Sequence, residues 1–196
     1  MTFEEFIDKY DKEDTIILLE GKRNVIEEDK LKLVSLGKLL ALKTKKMKFR
    51  SGNASGADFL FFSGISALEN ERLQVITPYK NHRRKQNNAI KTISIDEINL
   101  ISEEQVVYQS KNNNKTKNLI DKYVAGNHNQ YTIKAAYIIR DTIKAIGTKK
   151  IPPTTFAIFY DDLQNPNQGG TGHTIEICKL NKIPFINQTV WFNWIK

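Results

Sequence analysis

Apolar runs alternating with amphipathic stretches set the expected fold. "TIILLEGKR" (residues 15–23) begins with continuous β-branched and aliphatic positions and closes at Gly21, the pattern of a strand buried on both faces. Between Asn24 and Thr44, apolar or small residues recur at Leu33, Val34, Gly37, Leu40 and Ala41. That period is helical, and Asn24 is the expected N-cap. "MKFRSG" predicts a short second strand. "SGADFLFFSGISALEN" predicts a helix entered through a glycine-containing turn, and "LQVITPYK" a third strand. Together they form a β-α-β-α-β unit, about half of a nucleotide-binding fold.

The regularity lapses between Asn81 and Lys150. "NHRRKQNNAIK" and "QSKNNNKTKN" read as polar, Asn-rich loops around weaker apolar segments. A good helix follows in "NQYTIKAAYIIRDTIKAIG", with Ala135, Ile139, Thr142, Ile143 and Ile146 on one face and Gly147 at its end. After the helix-stopping "IPP", "TTFAIFYDD" is the fourth strand. A Gly-Gly-Thr-Gly turn then leads into a helix, and "IPFINQT" is the fifth strand. The two Trp of the closing "VWFNWIK" are expected to cap the core.

This alternation predicts one α/β domain over residues 1–196: a parallel sheet of order 3-2-1-4-5, helices on both faces, and residues 81–150 inserted outside it. A switch in strand order places a crevice beyond the carboxyl ends of the strands. Three loops leave from such ends: "EGKRN", "RSGNASGAD" and "DDLQNPNQGGTGHT". They are expected to open on one rim.

A helix N-terminus carries unpaired N–H groups and partial positive charge, and small residues let phosphate oxygens reach those amides. Ser51, Gly52, Ser55 and Gly56 offer this at one helix. Gly169, Gly170, Thr171, Gly172 and Thr174 offer it at a later one, with His173 beside them. Gly21, Lys22 and Arg23 add a basic third loop. Asp58 touches ligand or orients its own loop; Asp161 and Asp162 either cap a turn or reach a ribose or metal. The phosphate loop ending in Gly-Lys-Ser/Thr and the GxGxxG pattern after the first strand are both absent, which argues against ATPase, GTPase or dinucleotide chemistry.

Charge sharpens this picture. The net charge is +8 and the pI about 9.4, with the excess in "KTKKMKFR" and "YKNHRRKQ", so phosphorylated or polyanionic partners are favoured. Cys178 is the single cysteine; it excludes an internal disulfide and reads as a buried thiol. His82 and His128 have no partner at ligand spacing, so neither a metal nor another cofactor is expected. No apolar run reaches membrane-spanning length and no signal-peptide pattern opens the chain. Cytoplasmic residence is the default expectation; a homo-oligomer is left open.

The succession "GKR", "SGNASGAD" and "GGTGHTIEI" resembles the SLOG superfamily of Rossmann-like proteins, which includes the DNA-processing protein A and Lonely Guy (LOG) phosphoribohydrolase groups. Ser51, Gly52, Ala54, Gly56 and Asp58 match the first group's Ser-Gly-x-Ala-x-Gly-x-Asp. Gly169, Gly170, Gly172 and Glu176 match the second group's Gly-Gly-x-Gly-Thr-x-x-Glu, with His173 in place of the Thr. The His-Thr pair is also similar to the YspA-like branch. The resemblance implies a Rossmann-like domain holding a nucleotide or nucleotide-derived phosphorylated ligand at two Gly-rich helix starts. It also implies two alternatives: single-stranded DNA binding, or nucleoside monophosphate hydrolysis in which Glu176 and an Arg (Arg23, Arg50, Arg83 or Arg84) assist cleavage of the N-glycosidic bond.

Overall fold

The computed structural model describes residues 1–195. Six parallel strands form one sheet: β1 (Ile16–Gly21), β2 (Lys48–Ser51), β3 (Leu73–Thr77), β4 (Lys91–Ser94), β5 (Phe156–Tyr160) and β6 (Phe185–Ile186), in the order β4-β3-β2-β1-β5-β6. The five expected strands, now β3, β2, β1, β5 and β6, follow the expected order. Lys91–Ser94 adds a strand that the pattern did not reveal, because its four residues contain a single apolar side chain.

Alternate strand residues face opposite sides of a sheet, and the core divides accordingly. Ile17, Leu19, Phe49, Val75 and Ile158 pack with Leu33, Leu36 and Leu40 of α2 (Glu27–Lys43) and with Phe61 and Ile65 of α3 (Ala57–Ser66). The chain ends complete that layer. Phe3 and Phe6 of α1 (Phe3–Tyr10) meet Trp194, and Trp191 of α8 (Gln188–Trp191) is fully buried, donating from Nε1 to Phe159 O at 2.9 Å. Both Trp therefore cap the core. Helix α1 was not anticipated, although Thr2 and Glu5 form a capping box that the sequence spells out.

On the other face lie α4 (Glu104–Ser110), α5 (Lys117–Val124), α6 (Ile133–Ile146) and α7 (Gly169–Leu180). Residues 81–150 thus do more than pack outside the sheet: they extend it by β4 and cover it with α6, whose Ile139 and Ile143 are buried. Two helix starts differ from expectation. Helix α2 begins at Glu27 after Ile26, not at Asn24, and the acids Glu27, Glu28 and Asp29 favour its first turn through the dipole. The Gly-Gly-Thr-Gly stretch is not a turn before a helix; it is the first turn of α7.

Candidate functional site

The three loops do converge. A cleft of about 770 Å³ opens beyond the carboxyl end of β1 and is lined by Lys22 and Arg23, by Ala54 and Asp58, and by Gln168 to Thr171. Its opposite wall is α6, through Lys134, Tyr137, Arg140 and Asp141. That wall comes from a helix in which the sequence placed no candidate residue.

Asp58 organises the second loop. Its Oδ1 accepts from Gly21 N at 3.1 Å, and its Oδ2 accepts from Ser51 Oγ, Gly52 N and Ala54 N at 3.1, 3.2 and 3.4 Å. The Gly52 amide and the Ser51 hydroxyl, both expected to meet a phosphate there, are therefore already engaged by a carboxylate of the chain itself. Gly52 lies against the Arg140 guanidinium, whose Nη1 donates to Gly52 O at 2.9 Å. Ser51, Gly52, Ser55 and Gly56 do not line the cleft.

The α7 N-terminus is open by comparison. Gly169, Gly170 and Thr171 line the cleft, and helix geometry leaves their N–H groups without intrahelical acceptors. The first helical bond runs from Gly172 N to Gln168 O at 3.0 Å. Gly172 and Thr174 turn away: Gly172 packs on the backbone of Asn167, and buried Thr174 donates to Glu20 Oε1 at 2.9 Å. His173 both lines the cleft and holds α6, its Nε2 lying 2.9 Å from Thr142 Oγ1. Burial pushes its pKa below the usual histidine value.

Beneath the cleft runs a buried chain of charges. Lys144 Nζ, with no solvent exposure, sits 2.8 Å from Glu20 Oε2 and 2.9 Å from Asp141 Oδ1. Neither contact has the angles of a good hydrogen bond, leaving Lys144 Nζ and Glu20 Oε2 in close contact without one. Asp141 Oδ1 also accepts from Arg140 Nε and Nη2, at 3.0 and 2.7 Å. Burial pushes Glu20 up to about 8, against the pull of Lys144. Asp141 is equally buried, but Arg140 and Lys144 outweigh that cost and hold its carboxyl below the ordinary range. The two acids are thus driven in opposite directions.

Tyr137 carries the aromatic surface. The Arg23 and Arg140 guanidinium groups lie 5.9 and 5.5 Å from its ring centre, and His82 and Tyr79 approach it edge-on at 5.7 and 6.3 Å. His82 is 8% exposed, and neither ring nitrogen has a hydrogen-bond partner. Burial, then Arg140, Arg83 and Arg23, push it down to about 4. The unfolded chain therefore takes up a proton near pH 6.5 that the folded protein refuses until about 4. This contribution to stability is present above pH 6.5 and lost as pH falls through 4. In paired thermal melts, His82→Phe should flatten the fall over that window; an unchanged profile would assign the fall to other groups.

Other expected residues lie elsewhere. Glu176 is exposed on α7 and does not line the cleft. Arg50 is buried under the sheet, where Nη1 donates to Lys144 O and Pro152 O. Arg84 lines a smaller pocket of about 280 Å³ beside β3 and β4. Asp161 accepts from Asp162 N and Asn167 N, and Asp162 from Gln164 N and Asn165 N, so the pair folds its own loop. Asp162 also pairs with Lys22 at 3.4 Å. Cys178 is buried, which pushes its thiol up to about 12 and leaves no thiolate to attack. Among the described residues no cluster of three His, Cys, Asp or Glu side chains is arranged to hold a metal, and no helix is long and apolar enough to cross a membrane.

No family model matches the chain, and no curated protein matches it. Among solved structures it is similar to DNA processing protein A from Helicobacter pylori, whose structure was described for a unique single-stranded DNA binding mode. The two are 12% identical with a TM-score of 0.50, over 95% of this chain and 68% of that one. At this identity the likeness is one of fold: a Rossmann-like parallel sheet with helices on both faces.

Proposed function

We propose that the protein binds single-stranded DNA through the cleft, as a SLOG-related domain. A backbone phosphate is taken by the N–H groups of Gly169, Gly170 and Thr171, and the neighbouring base lies against Tyr137. The observation that carries this reading is the meeting, in one cleft, of an open helix N-terminus, the cations Lys22, Arg23 and Lys134, and an aromatic ring. The net charge of +8 supports it, as does the similar fold of a protein described as binding single-stranded DNA.

Titration of a fluorescent oligothymidylate by anisotropy tests the proposal. Affinity should fall with salt at a log–log slope of about −0.7 per phosphate neutralised. Tyr137→Ala should weaken binding by roughly 1–3 kcal/mol through lost stacking, and charge reversal at Lys22 and Arg23, which line the cleft, should weaken it further. A salt-independent isotherm, or one unmoved by Tyr137→Ala, would overturn this binding mode.

A free nucleotide or nucleotide-derived ligand is the second reading, favoured by the additional wall that Asn113, Thr116 and Ile133 give the cleft. Under it, nucleoside monophosphates bind alone and displace the oligonucleotide. LOG-type hydrolysis stands behind both, because Glu176 lies outside the cleft.

A further inference from the structure

Asp141 has one carboxylate oxygen that the protein does not use. Arg140 and Lys144 all converge on Oδ1. Among the described residues, the hydrogen bonds and ion pairs of this carboxylate all end on Oδ1 and none on Oδ2. The side chain is only 3% exposed, yet it lines the cleft, and Oδ2 lies 3.0 Å from where a Cβ on Gly170 would stand. An ionised carboxylate only accepts hydrogen bonds. It repels a phosphate, so it sets the inner limit of any phosphate held on the α7 amides. What lies just inside that limit must be a donor.

Covalent connectivity narrows the donor. Tyr137 and Asp141 are four residues apart on α6, so they share one face of the helix. With a base on Tyr137 and a phosphate on Gly169 and Gly170, the part of a nucleotide between them is its sugar. We propose that Asp141 Oδ2 accepts a hydrogen bond from a sugar hydroxyl, so that the cleft distinguishes nucleotides by their 2′ and 3′ hydroxyls. This rests on the reading that the cleft holds a nucleotide unit. The hydroxyl has two sources: the ribose of a free ribonucleotide, or the 3′-hydroxyl end of a DNA strand.

Wild-type protein decides the matter by calorimetric titration. One arm compares adenosine monophosphate with its 2′-deoxy and 3′-deoxy forms. The other compares an oligothymidylate ending in a 3′-hydroxyl with the same strand ending in a 3′-phosphate or a dideoxy residue. Loss of the engaged hydroxyl should weaken binding about tenfold to a hundredfold, the range for a hydrogen bond to a charged group. A loss confined to the first arm identifies a ribonucleotide, and one confined to the second identifies a strand end. Equal affinity for every hydroxylated and deoxygenated pair would overturn the proposal and leave the cleft as a binding site. Absence of binding in both arms would remove the proposal together with the reading beneath it. In Asp141→Asn, checked first by thermal melt, the difference within each pair should shrink; should that variant not fold, the wild-type pairs still decide.

Discussion

Lys144→Met should destabilise the protein by about 3–5 kcal/mol, the usual cost of removing one partner from a buried ion pair. Methionine fills much of the same volume, so the loss measures charge and not a cavity. The deficit should depend on pH in a direction fixed by Glu20. Its folded pKa is raised from 4.5 to about 8, so its contribution is fully present below pH 4.5 and is lost as pH rises through 8. Lys144 is the cation that moderates this rise. Without it Glu20 holds its proton to still higher pH, and the falling window extends upward. Urea denaturation at pH 5, 7 and 9 should therefore show the smallest deficit at pH 5 and the largest at pH 9. A deficit independent of pH would mean that Glu20 and Lys144 are not energetically joined.

Two glycines of α7 should respond in opposite ways. A Cβ on Gly172 would stand 2.0 Å from the backbone carbonyl of Asn167, which cannot yield as a side chain can. Gly172→Val should cost roughly 1–3 kcal/mol or more through overpacking, with binding lost only as the protein unfolds. On Gly170 the same Cβ meets only Asp141 Oδ2, at 3.0 Å. Asp141 must give by a few tenths of an ångström, so Gly170→Val should cost less stability than Gly172→Val, while its side chain blocks the amides and abolishes ligand binding in the folded protein. Thermal melts paired with ligand titration of both variants separate the roles. A Gly170→Val protein that binds as tightly as the wild type would remove the α7 N-terminus from the site.

The strands carrying continuous apolar runs were legible because burial on both faces replaces the usual alternation with an unbroken run of apolar residues, interrupted in β1 only by Glu20. "IILLEG" and "FAIFY" are buried throughout. The wall of the cleft was not legible. In "IIRDTIKAI" the residues Arg140, Asp141 and Lys144 read as the solvated side of an amphipathic helix, yet all three are buried. Their burial depends on Glu20, more than a hundred positions away, and on Gly52, and no local pattern records such partners. The likeness to the Ser-Gly-x-Ala-x-Gly-x-Asp pattern located a real loop. It did not reveal that Asp58 takes up the Gly52 and Ala54 amides, because a motif gives residue types and not the direction of their hydrogen bonds.

The two outer strands of the sheet are short, and this bears on solubility. At one margin β6 has two residues; at the other β4 has four, with Lys91 and Thr92 exposed. A margin so brief, or marked by a lysine, gives an incoming chain few backbone groups to zip onto. The sheet is thus poorly suited to seed amyloid-like growth or strand exchange between molecules, even though its inner strands are rich in β-branched and aromatic residues. Should copies of this protein associate, helical faces and loops are left to make the contact.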